Sequence, residues 1–361
     1  MSVIKPTGIH SKPVTSDAIS YYIDYWQVGN QTTPCDRMRS QWILSRLFPR
    51  GLRGKTIVEL GVGAAGGLIR YLKEDNTVFG LDASVAARQT CERMGLNIQI
   101  RNIDREPLPF ESESIDIVFA MEVFEHFASP QYVIEEIYRI LKPSGMLVIS
   151  TPHTLIHHWP RLFYPDLFEP EAFKEFLMIN NFGVNLQDGI GPRVYRDYYN
   201  GDDAIHWSWL WQCRKLTDGD AEKFLEHGLY FWNKKNSHGI RLRPMEAIDC
   251  FRRCYELEPG HLEARLMLAR SLMYHYVQGG PAEFADHYNF LTRTMHSGRH
   301  PYNLLAQYHF AMMYIDFAKS GFPGISEKDF QSALAMLRQH PEGSDYLKRI
   351  VDHSSSKCNE M

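Results

Sequence analysis

Ten residues, Val58-Glu-Leu-Gly-Val-Gly-Ala-Ala-Gly-Gly67, restrict the fold of this chain more than any other stretch. A short apolar run leads into them and a helical pattern follows, so the glycines sit where a strand turns into a helix. Glycine lets such a turn adopt left-handed backbone and come close to a neighbour without a Cβ in the way. Strand, glycine turn and helix in that order open a parallel α/β sheet. Downstream the alternation repeats. Strands are expected over 56–60, 77–81, 97–101, 115–120 and 146–150, with helices over 64–73, 84–94 and 130–141. Pro143, Ser144 and Gly145 stop the last helix before its strand. Right-handed crossovers then give an open, doubly wound sheet with its ligand site at the carboxyl ends of the strands.

A helix over 170–180 and strands over 184–187 and 206–215 bring the sheet to seven strands. The last carries Trp207, Trp209 and Trp211 at period two, which reads as sheet packing before it reads as a binding platform. Beyond residue 217 the strand signal ends and helices continue to about residue 349. There Ala247, Phe251, Cys254 and Pro259, followed by Leu268, Ala269 and Leu272, resemble the small-large-small-Pro pattern of a tetratricopeptide repeat. An ordinary helical bundle is the alternative. The expected organisation is an N-terminal helical lid over 1–50, an α/β domain over 51–217 and a helical region over 218–361. The lid would hold helices over 16–26 and 36–47, with Tyr21, Tyr22, Tyr25 and Trp26 folding over the site.

Hydrophobic residues make up 44% of the 361 and charged residues 23%, enough apolar matter for a sizeable core. The net charge of -4 argues against nucleic acid or an acidic membrane as the main partner, while leaving room for a local basic patch. No apolar run approaches the roughly 20 residues of a membrane span. The first residues lack the apolar stretch of a secretory signal, so the expected location is cytoplasmic. The six cysteines form no dense framework. Cys250 and Cys254 share a helix face, but no second pair supports zinc, and no metal site is expected.

Gly61, Gly63 and Gly66 also satisfy the spelling of a dinucleotide loop, with Asp82 ending the second strand. Glu59 argues against that reading. A carboxylate two residues before the first glycine repels a diphosphate but attracts a ligand bearing ammonium and sulfonium groups. At about 4 Å and an effective dielectric near 20, that attraction is on the order of 4 kcal/mol before desolvation.

Four further segments make the likeness specific: Asp104-Arg-Glu-Pro-Leu-Pro-Phe110, Ser114-Ile-Asp-Ile-Val118, Glu122-Val-Phe-Glu-His126 and Leu141-Lys-Pro-Ser-Gly-Met-Leu-Val-Ile-Ser-Thr-Pro152. With the glycine loop they resemble the class I S-adenosylmethionine-dependent methyltransferases, over about residues 20 to 216. The closest likeness is to the branch holding ubiquinone, menaquinone, sugar and natural-product enzymes. The resemblance implies a Rossmann-like methyltransferase sheet, with S-adenosylmethionine as cofactor and S-adenosylhomocysteine as product. It implies that Glu59, Gly61 and Gly63 hold the methionine end, and that Asp82, beside Ala83, takes the ribose hydroxyls. Ile103 and Asp104 would flank the adenine, Asp104 accepting from its exocyclic amine, and Met121 and Glu122 would line the site. Ala65 stands where many members have the third glycine, and Ser144 replaces a common turn glycine.

Methyl transfer from a sulfonium is an in-line displacement, so orientation supplies much of the rate. A hydroxyl nucleophile also needs a base. His126 follows the fourth strand, and His153, His157 and His158 follow the fifth; these four are the candidate bases. Trp159, Phe163 and Tyr164, with Tyr195, Tyr198 and Tyr199 beside Asp197, Asp202 and Asp203, suit a hydroxylated small molecule or a glycan. The expected reaction is O-methylation of such an acceptor. The alternatives are N-methylation of an amino sugar or peptide, and a non-catalytic scaffold docking a partner, or a second copy, through its helical tail.

Overall fold

The computed structural model describes residues 34–64, 66–152, 164–190, 208–237, 240–277 and residue 335. The chain divides into two compact units, Met1–Thr217 and Asp218–Met361. The first contains α1 (Pro34–Leu47), β1 (Thr56–Leu60), β2 (Thr77–Asp82), α2 (Val85–Arg93), β3 (Ile98–Ile100) and β4 (Ile115–Met121). It continues with α3 (Pro130–Ile140), β5 (Leu141–Pro152), α4 (Pro170–Ile179), β6 (Phe182–Ile190) and β7 (Ser208–Lys215). One sheet takes all seven strands in the order β3-β2-β1-β4-β5-β7-β6. The first five are parallel, and β7 runs antiparallel to both its neighbours. The chain winds outward in both directions from the β1–β4 pair, so a crevice opens at the carboxyl ends of these two strands.

Both faces of the sheet are covered, as period-two side chains and a doubly wound topology require. Val58, Val118, Ala120, Leu147 and Trp211 join one buried cluster with Val133, Ile134, Ile137 and Ile140 of α3 and Phe173 of α4. The alternate residues Ile57, Ile117, Phe119, Val148 and Leu210 join a second cluster with Ile43 of α1 and Cys91 of α2. Trp211 lies 4.7 Å from the Phe173 ring, so its indole is part of this core. Ile43 places α1 in the cover of the sheet's second face. Tyr21, Tyr22, Tyr25, Trp26 and Trp207 lie outside the described residues.

Two elements depart from the expected pattern. The helix expected over 64–73 is a single 3₁₀ turn, Ile69–Tyr71. Positive φ angles at Gly61, Gly63, Gly66 and Gly67 hold the backbone out of the helical region until Leu68, which leaves little room before β2. β5 begins at Leu141 rather than 146, because a bulge with Ser144 at φ 58° lets the strand start directly from α3.

The second unit contains α5 (Ala221–Asn233), α6 (Pro244–Leu257) and α7 (Leu262–Val277). Ala247, Phe251 and Cys254 of α6 and Leu268, Ala269 and Leu272 of α7 are all buried. Gly228 of α5 lies so close under the Phe251 ring that a Cβ there would overlap it. Gly228→Ala is therefore expected to destabilise this unit by about 1–3 kcal/mol, despite alanine's better helix propensity. Chemical denaturation measures the change, and a combined Phe251→Leu substitution should recover part of it.

Candidate functional site

The crevice is built on carboxylates that fold their own surroundings. Glu59, the penultimate residue of β1, is 2% exposed. Its Oε2 accepts from the N–H groups of Leu68 (2.8 Å) and Ile69 (3.0 Å), capping the 3₁₀ turn that the glycine loop feeds. A Cβ on Gly67 would strike this carboxylate, and one on Gly61 would strike Val123, so both positions need glycine on space as well as on φ. Burial pushes the Glu59 carboxyl up from 4.5 to about 7, against the pull of the two amides and of Arg39.

Asp82 does the same work at the end of β2. Its two oxygens accept from Gly63 N–H and Ser84 N–H, each at 2.8 Å, and burial raises its pKa against those donors. Ala83, half-buried, follows it. Cys91, beneath the loop, donates its thiol to the Gly63 carbonyl at 3.2 Å. Asp104 accepts from Ala128 N–H and Ser129 N–H, both at 2.8 Å, at the start of α3. Ile103 is buried in the first core cluster. The resemblance assigned Glu59, Asp82 and Asp104 to the cofactor; the structure first gives all three to the protein's own backbone.

The end of β4 carries the chemically richest segment. Met121 is buried and pairs with Ser150 of β5. Glu122 has φ 51°, a strained conformation for a residue with a side chain. It is held by its N–H to the Ser150 carbonyl (3.1 Å) and by the Ser150 hydroxyl, which donates to Oε1 (2.7 Å). Glu125, fully buried, has its pKa driven well above the usual carboxylate range by desolvation and then by the charge of Glu122. His126 Nε2 lies 3.5 Å from Glu125 Oε1. The segment is pinned further by Tyr164, whose hydroxyl donates to the Ala128 carbonyl at 2.8 Å. His153, His157 and His158, with Trp159, Phe163, Tyr195, Tyr198, Tyr199, Asp197, Asp202 and Asp203, lie outside the described residues.

Three of these residues escape a reading of the sequence. Ser150 is signalled only by a hydroxyl closing an apolar strand, and Glu125 by its place beside His126. Arg39, on α1, carries no motif, yet its charge reaches both Glu59 and Glu125. Among the described residues, no group of three His, Cys, Asp or Glu is arranged to hold a metal ion.

Because the folded state raises the Glu59 pKa, this group binds more protons folded than unfolded between pH 4.5 and about 7. Its neutral form favours the fold below pH 4.5, and that contribution is lost as pH rises through about 7. Glu59→Gln is expected to flatten this part of the stability–pH curve, which melting temperatures across the range would measure.

Residues 58–149 match the family described as Methyltransferase domain. A ubiquinone biosynthesis O-methyltransferase from Roseobacter denitrificans is 37% identical over 196 residues, covering 47% of this chain and 72% of that protein. One of the same name from Pseudomonas fluorescens is 34% identical over 121 residues, covering 32% of this chain and 50% of that protein. The chain thus spans only half the length of the Pseudomonas relative. A solved S-adenosylmethionine-dependent methyltransferase from Mesorhizobium loti, 18% identical, superposes with a TM-score of 0.38 over 48% of this chain and 97% of that one. On the Roseobacter identity and coverage, with the matched domain spanning the glycine loop through β5, the chain belongs to the S-adenosylmethionine-dependent methyltransferases.

Proposed function

We propose that the chain transfers a methyl group from S-adenosylmethionine to a hydroxyl oxygen of a small hydroxylated acceptor. The observation that carries this is the charge around the crevice. Glu59, Asp82, Glu122 and Glu125 stand there with Arg39, whose charge reaches two of them, and a bound ammonium or sulfonium would draw the raised carboxyls of Glu59, Asp82 and Glu125 back to their charged forms. That set suits a ligand with an ammonium, a sulfonium and a single carboxylate, and it repels the diphosphate of a nicotinamide dinucleotide. Left-handed backbone at Gly61 and Gly63 leaves the loop free of Cβ atoms where the methionine end would lie.

When bound, S-adenosylmethionine supplies an electrophilic methyl group. The protein's part is orientation and proton handling. Gly61 and Gly63 bring the loop against the methionine end, Arg39 faces its carboxylate, and Asp82 stands beside the ribose. Ala83, Ile103, Asp104 and Met121 border the adenosine. Clamped by Ser150, Glu122 fixes the wall after β4. His126, with the Glu125 carboxyl 3.5 Å from its Nε2, takes the acceptor's proton. Oxygen as the target is supported by the named activity of the two relatives. The buried position of Trp211 removes one face that a glycan would have used.

Calorimetry is expected to show S-adenosylhomocysteine binding and no binding of NADH, with Asp82→Asn weakening the former by about tenfold or more. In a radiolabelled methyl-transfer assay on a host extract separated by mass, label is expected in the small-molecule fraction. His126→Ala is expected to lower turnover by about 10²–10⁴-fold while leaving S-adenosylhomocysteine affinity intact. Unchanged turnover would favour a nitrogen acceptor, and donor binding without any transfer would favour a scaffold.

A further inference from the structure

Past the end of β3 the chain closes a tight turn over residues 101–106. It starts beside Asp82, because Arg101 N–H donates to the Asp82 carbonyl at 2.9 Å. Glu106 shuts the turn. Its Oε2 accepts from the Arg101 guanidinium at 2.7 Å, and its Oε1 accepts from Asn102 N–H at 3.2 Å. The Asn102 carbonyl in turn accepts from Arg105 N–H (3.1 Å) and Glu106 N–H (2.9 Å). The backbone of Asn102 is thus bonded on both sides, and the residue is held in one place at the carboxyl end of the sheet. Its side-chain Oδ1 is buried and has no hydrogen-bond partner among the described residues. Folded proteins leave few buried acceptors in that condition, and those they leave call for a partner from outside the chain.

Three side chains of this turn carry acceptor oxygens: Asn102, Asp104 and Glu106. Glu106 is used by Arg101 and Asn102. Asp104 is used on both oxygens, Oδ1 by Ser129 N–H and Oδ2 by Ala128 N–H, and so fastens the segment that leads into α3. To turn towards a ligand it would have to release those amides. Asn102 alone brings an acceptor that the fold does not use. The exocyclic amine of adenine is an uncharged donor, and a neutral amide oxygen meets it with less desolvation than a carboxylate would suffer.

We infer that Asn102 reads the adenine of the methyl donor, its Oδ1 accepting from the exocyclic amine, while Asp104 serves the fold by anchoring the start of α3. The assignment rests on the donor reading above and moves to Asn102 the contact that the resemblance gave to Asp104. It makes Asn102 a specificity-determining residue: a purine without a donor at this position leaves Oδ1 buried and unpaired, and the site rejects it.

Calorimetry on the full chain with S-adenosylhomocysteine, and with its analogue bearing unsubstituted purine in place of adenine, tests this. The wild type is expected to prefer S-adenosylhomocysteine by about tenfold. Asn102→Ala should bring the two affinities within about twofold of each other, by weakening S-adenosylhomocysteine alone. Asn102→Asp, which keeps an acceptor, should retain the preference. Asp104→Ala is expected to lower the melting temperature and to weaken both ligands alike, with the preference intact. Should Asn102→Ala fail to fold, Asn102→Leu removes the acceptor without leaving a void and decides in its place. Equal wild-type affinities overturn the assignment, as does a preference that survives the loss of the Asn102 amide. A preference lost in Asp104→Ala and kept in Asn102→Ala returns the contact to Asp104. Binding of neither ligand to the wild type overturns the donor reading itself, whereas binding with an unaltered preference in the Asn102 variants overturns only the role of Asn102.

Discussion

Glu59 leaves the end of β1 with its carboxylate turned under the glycine loop, where the N–H groups of Leu68 and Ile69 meet it. These amides have no partner within their own turn, and burying them unbonded would cost about 1–3 kcal/mol each. The arrangement works only because Gly67 has no Cβ. One carboxylate thus ties the last residue pair of β1 to the turn that leads towards β2, and the loop between them is held in a single shape. Gly61, Gly63 and the Asp82 bond to Gly63 N–H take their positions from that shape.

The same device recurs around the crevice. Asp82 joins the loop to the start of α2, Asp104 joins the segment after β3 to the start of α3, and Ser150 joins β5 to Glu122. Glu136 and Arg139 of α3 extend it by bonding the Leu108 N–H and the Leu108 and Phe110 carbonyls, which fixes the Leu108-Pro-Phe110 turn. Each bond runs between different strands or loops, so the strand ends move together or not at all. A reaction whose rate rests on collinear alignment gains from such a frame, because the orientation is set before any ligand arrives. The expense is the burial of several carboxylates, seen in the raised pKa values of Glu59, Asp82 and Glu125.

The fold was largely legible because both of its signals are local. Runs such as 115–120 and 146–150 bury both faces and can only be interior parallel strands, and the glycine loop marks where the first one ends. The site was legible by position and less so by use. Glu59, Asp82, Asp104 and Glu122 stand out as polar residues at or just beyond strand ends, but nothing in their spacing tells which donor each one meets. Apart from Ser84, two positions after Asp82, those partners lie 9 to 28 positions away and meet only in the folded chain. Arg39 was invisible for the same reason, since its charge reaches Glu59 and Glu125 through the docking of α1 on the sheet. The 64–73 helix was misread because propensity favours it, whereas positive φ at Gly66 and Gly67 forbids it.

In the second unit the buried Arg241 sets both the inside and the outside of a hairpin. Arg241 gains the Trp232 face and carbonyl, which replace part of the hydration its guanidinium loses. Strand geometry then gives the residues on either side no choice of face. Neither the Ile240 nor the Leu242 side chain adds to the buried core. The inward arginine and the outward aliphatic pair thus form one arrangement, in which the residue between them secures the hairpin on the unit's core.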